Sequence, residues 1–306
     1  MLNIRFSSVR AFALPLVVAS LVLGSGTVFA SSLIGSRTTS ITLDISANKT
    51  AYIVGLTQSE ASSVTGSNYL TTIKPYDAEK TGKGDTLHCW AATSANMLAY
   101  TGWGNVNGFR TEDDIFAYFT SNFTDDGSNT GYGNQWFMTG RYNAPMNWAQ
   151  LTTTGSGGFW PNESIDYGYK SVYSDGVSGL QSLLGYLQKG YAVGLSIGWY
   201  GSVGRDGGHA VTAWGVTYDS AGNFLSLLIS DSDNNYGRGV NAPDTLNELF
   251  LVYNAAGYYT FSNSGWGTGR LDGFNYLAAM PVPEPPAFML FGLGLIGMIL
   301  MRRKMA

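Results

Sequence analysis

The chain has 306 residues, of which 14 % are aromatic and only 12 % are charged, and its formal net charge is −4. The low charge and the 40 glycines favour a compact extracellular globule over a disordered chain. Acidic side chains outnumber basic ones by 21 to 17 and the basic ones form no stripe, so we expect no nucleic-acid partner.

The N-terminal segment, residues 1–30, has the composition of a secretory signal peptide. Arg5 and Arg10 provide a positive start, an apolar run follows, and the sequence VFA ends the segment with a small-residue cleavage site. A retained membrane anchor is the alternative, but glycines and a proline interrupt the run and it is short for a membrane span. We therefore predict that residues 1–30 are removed and that the mature chain is exported.

Strands and a helix are predicted at the start of the mature chain. Residues 31–48 form a Ser/Thr-rich lead-in that ends in an edge strand, and AYIVGL at 51–56 is typical of a short buried strand. A helix is predicted from Cys89 to about Tyr100, and Gly102 ends it. This helix therefore begins at the only cysteine in the chain.

A second helix and a long segment without clear periodicity follow. In TEDDIFAYFTSNF, Thr111 is the expected N-cap and Asp114 completes a capping box with it. Residues 125–170 are rich in Gly, Asn, Trp and Tyr and receive no secondary-structure assignment. We expect them to form a surface excursion that shapes a groove.

One more helix and three strands are predicted after residue 175. SGLQSLLGYLQKG is a helix capped by Ser178 and ended by Gly190, and the strands are YAVGLSIGWY, HAVTAWGVTYD and NFLSLLISDSD. The turn at residues 219–222 joins the last two strands into a hairpin. Helices early and a sheet late predict an α+β fold, in one domain over residues 31–280.

The C-terminal segment, residues 281–306, has three parts in order: PEP, the apolar run Ala287–Met301, and RRK. The run makes a helix of roughly 22 Å, short of the roughly 30 Å of a bilayer core, and the basic end would stay cytoplasmic. This order resembles the PEP-CTERM sorting signal of Gram-negative bacteria. The resemblance implies transient anchoring in the inner membrane, cleavage by an exosortase, and delivery to the cell surface or an exopolysaccharide matrix. A plain membrane anchor is the alternative.

The residues around the cysteine predict a thiol active site. Unpaired N–H groups and the helix dipole at Cys89 favour a thiolate. Of the two histidines, His88 is adjacent to the cysteine and its side chain is expected to point away, whereas His209 opens a predicted strand. The hairpin register puts Asp231 or Asp233 beside His209. Cysteine, histidine and carboxylate in this order predict a papain-like triad; a buried thiol with a structural histidine is the alternative.

Two segments resemble the catalytic blocks of a known family. They are YDAEKTGKGDTLHCWAATSANMLAY and KGYAVGLSIGWYGSVGRDGGHAVTAWGVTYDSAGNFLSLLISDSDNN, roughly a third of the mature chain. Both are similar to the Mac/IdeS family, the streptococcal immunoglobulin-degrading cysteine endopeptidases. The resemblance implies a papain-like fold, in which a helix carrying the nucleophile packs against a mostly antiparallel sheet carrying the histidine and the aspartate.

The same resemblance implies a role for each matching residue. Cys89 is the expected nucleophile, His209 the general base, and Asp231 the orienting carboxylate with Asp233 beside it. The family also forms its oxyanion hole with a lysine upstream of the cysteine, together with the cysteine backbone N–H. Lys80 matches in the local context EKT, one residue closer to the cysteine than in the family.

Three further positions leave alternatives open. Lys83 stays possible as the oxyanion lysine because of the shorter spacing at Lys80. Trp90 stands where the family has glycine and is expected to narrow the groove. Asn263, in SNSGWGTG, is a rival third member of the triad that we consider less favoured.

The sequence therefore predicts an exported cysteine endopeptidase that acts on a protein or peptide substrate, with no cofactor and no metal. A carboxylate-rich calcium site at DSDNN is conceivable. A surface transamidase or transpeptidase would use the same acyl-enzyme, and a non-catalytic matrix or adhesion protein is a third reading. Immunoglobulin is not expected as the substrate, because the resemblance does not extend to the middle of the chain.

Overall fold

The computed structural model describes residues 37–233, 244–262 and 269–281. The predicted signal peptide, nearly all of the sorting segment and Asn263 lie outside these ranges. Within them, no helix combines the length and the apolar character needed to cross a membrane.

Nine strands and six helices are described. The strands are β1 (Thr39–Ser46), β2 (Lys49–Leu56), β3 (Tyr167–Ser171), β4 (Ala192–Gly201), β5 (Gly204–Tyr218), β6 (Phe224–Ser230), β7 (Asn247–Tyr253), β8 (Tyr259–Phe261) and β9 (Arg270–Leu277). The helices are α1 (Gln58–Ser63), α2 (Tyr69–Thr72), α3 (Cys89–Thr101), α4 (Glu112–Asn122), α5 (Thr130–Thr139) and α6 (Val177–Gln188).

Six of the strands close into an antiparallel barrel. The hydrogen-bonded order is β1-β2-β5-β4-β9-β8-β7-β6, and β6 pairs again with β5, which completes the ring. β2 pairs with β5 and carries β1 as an edge strand outside the ring, while β3 pairs with β9. The sheet is thus built from the first, middle and last parts of the chain.

The predicted papain-like α+β fold is wrong. The structure is a mostly antiparallel β-barrel, with 32 % of the described residues in strands and 24 % in helices. The prediction fails partly because β7, β8 and β9 are short or broken by polar residues and glycine, so their pattern is weak. It also fails because the strand pairings that close the barrel join segments that are far apart in the chain. Local sequence patterns do not predict such pairings.

Most of the local predictions in the first half of the chain are confirmed. β1 is an edge strand, and α3 begins at Cys89 and ends before Gly102, whose φ of 83° is the left-handed conformation that glycine adopts without strain. Thr111 caps α4, and its side chain and that of Asp114 form the predicted capping box.

Two details of the second half differ from the prediction. The N-cap of α6 is Gly176, and Ser178 lies inside the helix with its hydroxyl donating to the carbonyl of Asp175. The hairpin of β5 and β6 is present, but β5 starts at Gly204. His209 therefore lies inside a strand, not at its start.

α3 is the central helix of the molecule. Every residue from Trp90 to Thr101 is buried, because α4 and α5 cover one side of the helix and β4 and β5 the other. The helix is rich in alanine, so it can approach the sheet closely. Its N-terminus is the part that reaches the surface, where Cys89 is partly exposed.

The unassigned segment at 125–170 is only in part the expected surface excursion. It contains α5, whose Trp136, Phe137 and Met138 are fully buried. The helix is hard to predict from sequence because its first turn contains a threonine and two glycines, which are poor helix formers. One of those glycines, Gly133, is buried against Trp90.

Gly133→Ala is expected to lower the free energy of unfolding by about 1–3 kcal/mol. A Cβ at this position would lie 2.6 Å from Oγ of Ser94 and 3.0 Å from the ring of Trp90. This overpacking outweighs the gain of about 1 kcal/mol that alanine normally has over glycine in a helix. Urea unfolding followed by tryptophan fluorescence measures the change.

Gly185 in α6 is the matched control, because no atom lies within 4 Å of a Cβ built there. Gly185→Ala should raise the free energy of unfolding by about 0.5–1 kcal/mol. If both variants were equally stabilised, the close packing of α5 on Trp90 would be refuted.

Candidate active site

Two carboxylates shape the loop that leads into Cys89. The Asp125 side chain accepts the backbone N–H groups of Thr86 and Leu87 at 3.0 and 2.7 Å. The Asp85 side chain accepts the N–H of Thr81 at 2.7 Å. The loop therefore delivers the thiol to the first turn of α3, where backbone N–H groups have no acceptor within the helix.

The structure brings Cys89, His209 and Asp231 together. The Cys89 thiol and the His209 ring are hydrogen-bonded to each other. Nε2 of His209 lies 2.7 Å from Oδ1 of Asp231, which leaves Nδ1 for the thiol side. The pairing of β5 with β6 sets this geometry, since Thr212 lies opposite Ser230 and Asp231 directly follows it.

This contact makes the thiol and the ring a charged pair. Burial disfavours the Cys89 thiolate, but the hydrogen bond and charge of His209 and the charge of Lys80 outweigh it and lower the pKa of the thiol. Burial also disfavours a charged ring, but hydrogen bonds to Asp231 and Cys89, with their negative charges, raise the pKa of His209 to about 10. The lowered pKa of the thiol and the raised pKa of the ring both favour a thiolate beside an imidazolium.

Lys80 lies in the site, and Lys83 does not. The Lys80 side chain is buried, and its Nζ donates to the carbonyl of Thr86 at 2.6 Å and to Oδ1 of Asp233 at 2.5 Å. Among the described residues these two acceptors use two of the three ammonium protons, which leaves one for a ligand. Lys83 is exposed and is not among the residues that line the cleft beside Cys89.

Asp233 lies between the lysine and the histidine. Its Oδ2 is 3.8 Å from Nδ1 of His209, and its backbone N–H donates to Oδ1 of Asp231 at 3.1 Å. It therefore binds Lys80 directly and helps to hold Asp231, whereas it makes only a longer contact with the ring.

His209, Asp231 and Asp233 also place one ligand atom each within 4.8 Å of one another, which is close enough to hold a metal ion. Every one of these groups already has a partner: the ring binds Cys89 and Asp231, and Asp233 binds the ammonium of Lys80. A cation would have to displace an existing positive charge. Part of the DSDNN stretch lies outside the described residues.

Trp90 and His88, the neighbours of Cys89, point away from the cleft. His88 is fully buried, and its Nε2 lies 2.9 Å from the carbonyl oxygen of Thr124. Burial lowers the pKa of His88, although Asp125 opposes this. Trp90 is also buried, its indole N–H donating to the carbonyl of Asp126, so the prediction that it narrows the groove is wrong.

Asn96, about two turns along α3 from the thiol and on the same face of the helix, links the elements that carry the site. Its Nδ2 donates to Oγ1 of Thr212 at 3.0 Å, and its Oδ1 accepts the backbone N–H of Ala78 at 2.8 Å. Thr212 is on the strand of His209, and Ala78 is two residues before Lys80. One buried amide therefore holds the thiol helix, the histidine strand and the lysine segment in register.

Cys89 and His209 open into a cleft of about 650 Å³. One wall comes from β4 and β5, and the opposite wall from residues 127–130 with Asn147 and Trp148. The second wall belongs to the segment that sequence patterns leave unassigned, and glycine and asparagine give it no periodicity that would mark it. A thiolate in an open cleft, with an ion-paired histidine, is suited to attack a carbonyl carbon.

Comparison with known proteins identifies the C-terminal segment. The family description of the PEP-CTERM protein-sorting motif matches residues 281–304. The match confirms that part of the sequence prediction: the motif indicates an exported chain, transient membrane anchoring in a Gram-negative bacterium, and processing by an exosortase. No curated protein matches the chain.

Proposed function

We propose that the protein is an exported cysteine endopeptidase that works at the cell surface or in the extracellular matrix. The observation that carries this is the hydrogen-bonded set of Cys89, His209 and Asp231 at the open end of a cleft. A purely structural thiol would be expected in an apolar setting with a raised pKa, whereas here the pKa of the thiol is lowered. The local resemblance of both segments to Mac/IdeS catalytic blocks supports the same reading.

The proposed reaction has two halves. The Cys89 thiolate attacks the carbonyl carbon of a peptide bond, and the resulting oxyanion is held by the Cys89 N–H and the free donor of Lys80. The imidazolium of His209 then gives its proton to the leaving amine, and a thioester remains on Cys89. In the second half, His209 takes a proton from water, which attacks the thioester and releases the acid product and the thiol.

Asp231 has an orienting role in both halves. Its carboxylate holds Nε2 of His209 at 2.7 Å, which fixes the plane of the ring and stabilises its positive charge. Nδ1 is then the nitrogen that exchanges the proton with the thiol and the leaving group. Asp233 is assigned to Lys80, which it holds near the thiol.

A degenerate peptide library tests the proposal, with products read by mass spectrometry. The exported protein is expected to cleave a subset of peptides, and the Cys89→Ala variant is expected to cleave none. An added primary amine separates the alternatives, since a transamidase would give the amide of the acyl product in place of the acid. If Cys89→Ala kept every activity of the protein, the non-catalytic matrix or adhesion function would take its place.

A further inference from the structure

A second, smaller recess joins the catalytic cleft at one end. It has a volume of about 230 Å³ and shares Asn129, Ser196 and Arg205 with the cleft. We call it the tyrosine recess, and the side chains that define its chemistry are Tyr169, Tyr173, Tyr200, Arg205, Arg270 and Asp272. None of these residues has a role in the proposed peptide hydrolysis.

Arg270 is a fixed cation at the base of the tyrosine recess. The carbon centre of its guanidinium lies 3.7 Å from the ring centre of Tyr173 and 3.5 Å from that of Tyr200. Its Nε donates to Oδ1 of Asp272 at 2.8 Å, and the Tyr200 hydroxyl donates to the same oxygen at 2.8 Å. Stacking on both faces and a shared carboxylate leave the guanidinium little freedom to move.

Arg205 is a second cation of the recess and is more accessible. Its Nε is 3.6 Å from Oδ2 of Asp272, its side chain is 40 % exposed, and one Nη donates to the carbonyl of Ile197. Among the described residues that line the recess, Asp272 is the only carboxylate, and the two guanidinium groups share it. Asp206, the next residue on the strand, lines the cleft and not the recess. The recess therefore carries an excess positive charge in a chain that is acidic overall.

The position of Arg205 relates the recess to the scissile bond. Arg205 precedes His209 by four residues on β5, which corresponds to about 13 Å between their backbones along an extended strand. The Arg205 side chain folds back over part of this distance, because one Nη donates to the carbonyl of Ile197, the residue that pairs with His209. A substrate peptide in extended conformation would therefore cover the remaining distance with at most about four residues. The tyrosine recess is thus within reach of a side chain near the cleaved bond.

We infer that the tyrosine recess is a specificity subsite that binds an acidic side chain of the substrate, within about four residues of the scissile bond. This inference rests on the proposed peptidase function. A carboxylate is the group that two guanidiniums bind best in a peptide, since each can offer paired N–H donors. The tyrosine rings would enclose the methylene groups of a glutamate and reduce competition from water.

The experiment compares two pools of degenerate octapeptides that differ only in a single fixed position, Glu in one and Gln in the other, scanned along the peptide. Cleavage is measured with the unaltered protein and equilibrium binding with the Cys89→Ala variant. At one position, the Glu pool should be cleaved and bound about tenfold better than the Gln pool. Arg205→Gln should remove this preference, and Arg205→Lys should keep most of it.

Arg110→Gln is the matched control, since Arg110 is exposed and lies outside both the cleft and the recess. It should retain the full preference for Glu. Equal binding of the Glu and Gln pools at every position would overturn the subsite. Absence of all cleavage, with a Glu preference in binding that Arg205→Gln abolishes, would instead overturn the peptidase proposal and leave the anion-binding recess standing.

Discussion

Alkylation of Cys89 at pH 6 is expected to be about 30- to 100-fold slower in a His209→Ala variant than in the unaltered protein. Iodoacetamide reacts with the thiolate, and His209 is the first group that lowers the pKa of this thiol. Without the imidazolium, burial still disfavours the thiolate, and only the charge of Lys80 and a hydrogen bond to the Ala210 backbone remain to favour it. A thiol with an ordinary pKa of about 8.5 is about 0.3 % ionised at pH 6.

The dependence of the alkylation rate on pH shows in which direction His209 shifts the pKa of Cys89. Because the pKa of Cys89 is lowered, the unaltered protein keeps its thiolate to a lower pH than an ordinary thiol does, and loses it as the pH falls through the lowered pKa. In the His209→Ala variant the alkylation rate should instead rise as the pH passes through about 8.5, the ordinary pKa of a thiol. The two rates should approach each other above pH 9, where both cysteines are ionised.

His88→Gln is the control for this measurement, because His88 is the other histidine and is adjacent in sequence, yet faces away from the cleft. It should lower stability, since a buried ring is lost, but leave the pH profile of alkylation unchanged. Equal profiles for the unaltered protein and His209→Ala would show that Cys89 and His209 do not form a charged pair.

Sequence patterns could predict the contact between His209 and Asp231 because it depends on local rules. The five residues 219–223 join β5 to β6 in a tight turn, and the hairpin register then fixes which residues lie opposite each other. The helix start at Cys89 is equally local, since glycine and polar residues precede it and a run of good helix formers follows. Three residues distant in sequence could thus be assigned to one site.

The barrel and the walls of the cleft could not be predicted in this way. The closure of the ring requires β9 to insert between β4 and β8, and nothing in RLDGFNYL specifies those partners. The tyrosine recess depends on the same pairing, because β9 carries Arg270 and Asp272 to the end of β4. Long-range pairing is decided by the fit of whole surfaces, which a window of ten residues does not contain.

The choice between Lys80 and Lys83 also depends on contacts with distant residues that local sequence does not predict. Both are lysines on one short loop, and spacing to Cys89 does not separate them. The structure separates them through burial and a distant partner, Asp233, on the far side of the hairpin. Sequence patterns fail here because the loop conformation depends on carboxylates from elsewhere in the chain, such as Asp125.

Asp231→Ala is expected to lower kcat/KM for a cleaved peptide by about 10²- to 10³-fold, whereas Asp233→Ala should lower it less than tenfold. The Asp231 carboxylate is 2.7 Å from Nε2 of His209, and its loss leaves a buried ring free to rotate and less able to hold charge. Asp233 lies 3.8 Å from the other ring nitrogen and mainly binds Lys80. Steady-state kinetics on one peptide from the library gives both values.

The Asp231→Asn variant distinguishes the two effects of Asp231 on His209, which are to orient the ring and to stabilise its positive charge. An amide oxygen can still accept a hydrogen bond from Nε2, so this variant should keep the ring in place but lose the negative charge that helps to raise the pKa of His209. Its kcat/KM should fall between those of the unaltered protein and Asp231→Ala, and alkylation of Cys89 at pH 6 should slow in parallel. A larger loss in Asp233→Ala than in Asp231→Ala would reverse the roles given to the two aspartates. Thermal unfolding should change little in Asp233→Ala, whose side chain is 38 % exposed, but Asp231→Ala should unfold at a lower temperature because it removes the partner of a buried charged ring. The kinetic comparison is therefore made at a temperature at which both variants are folded.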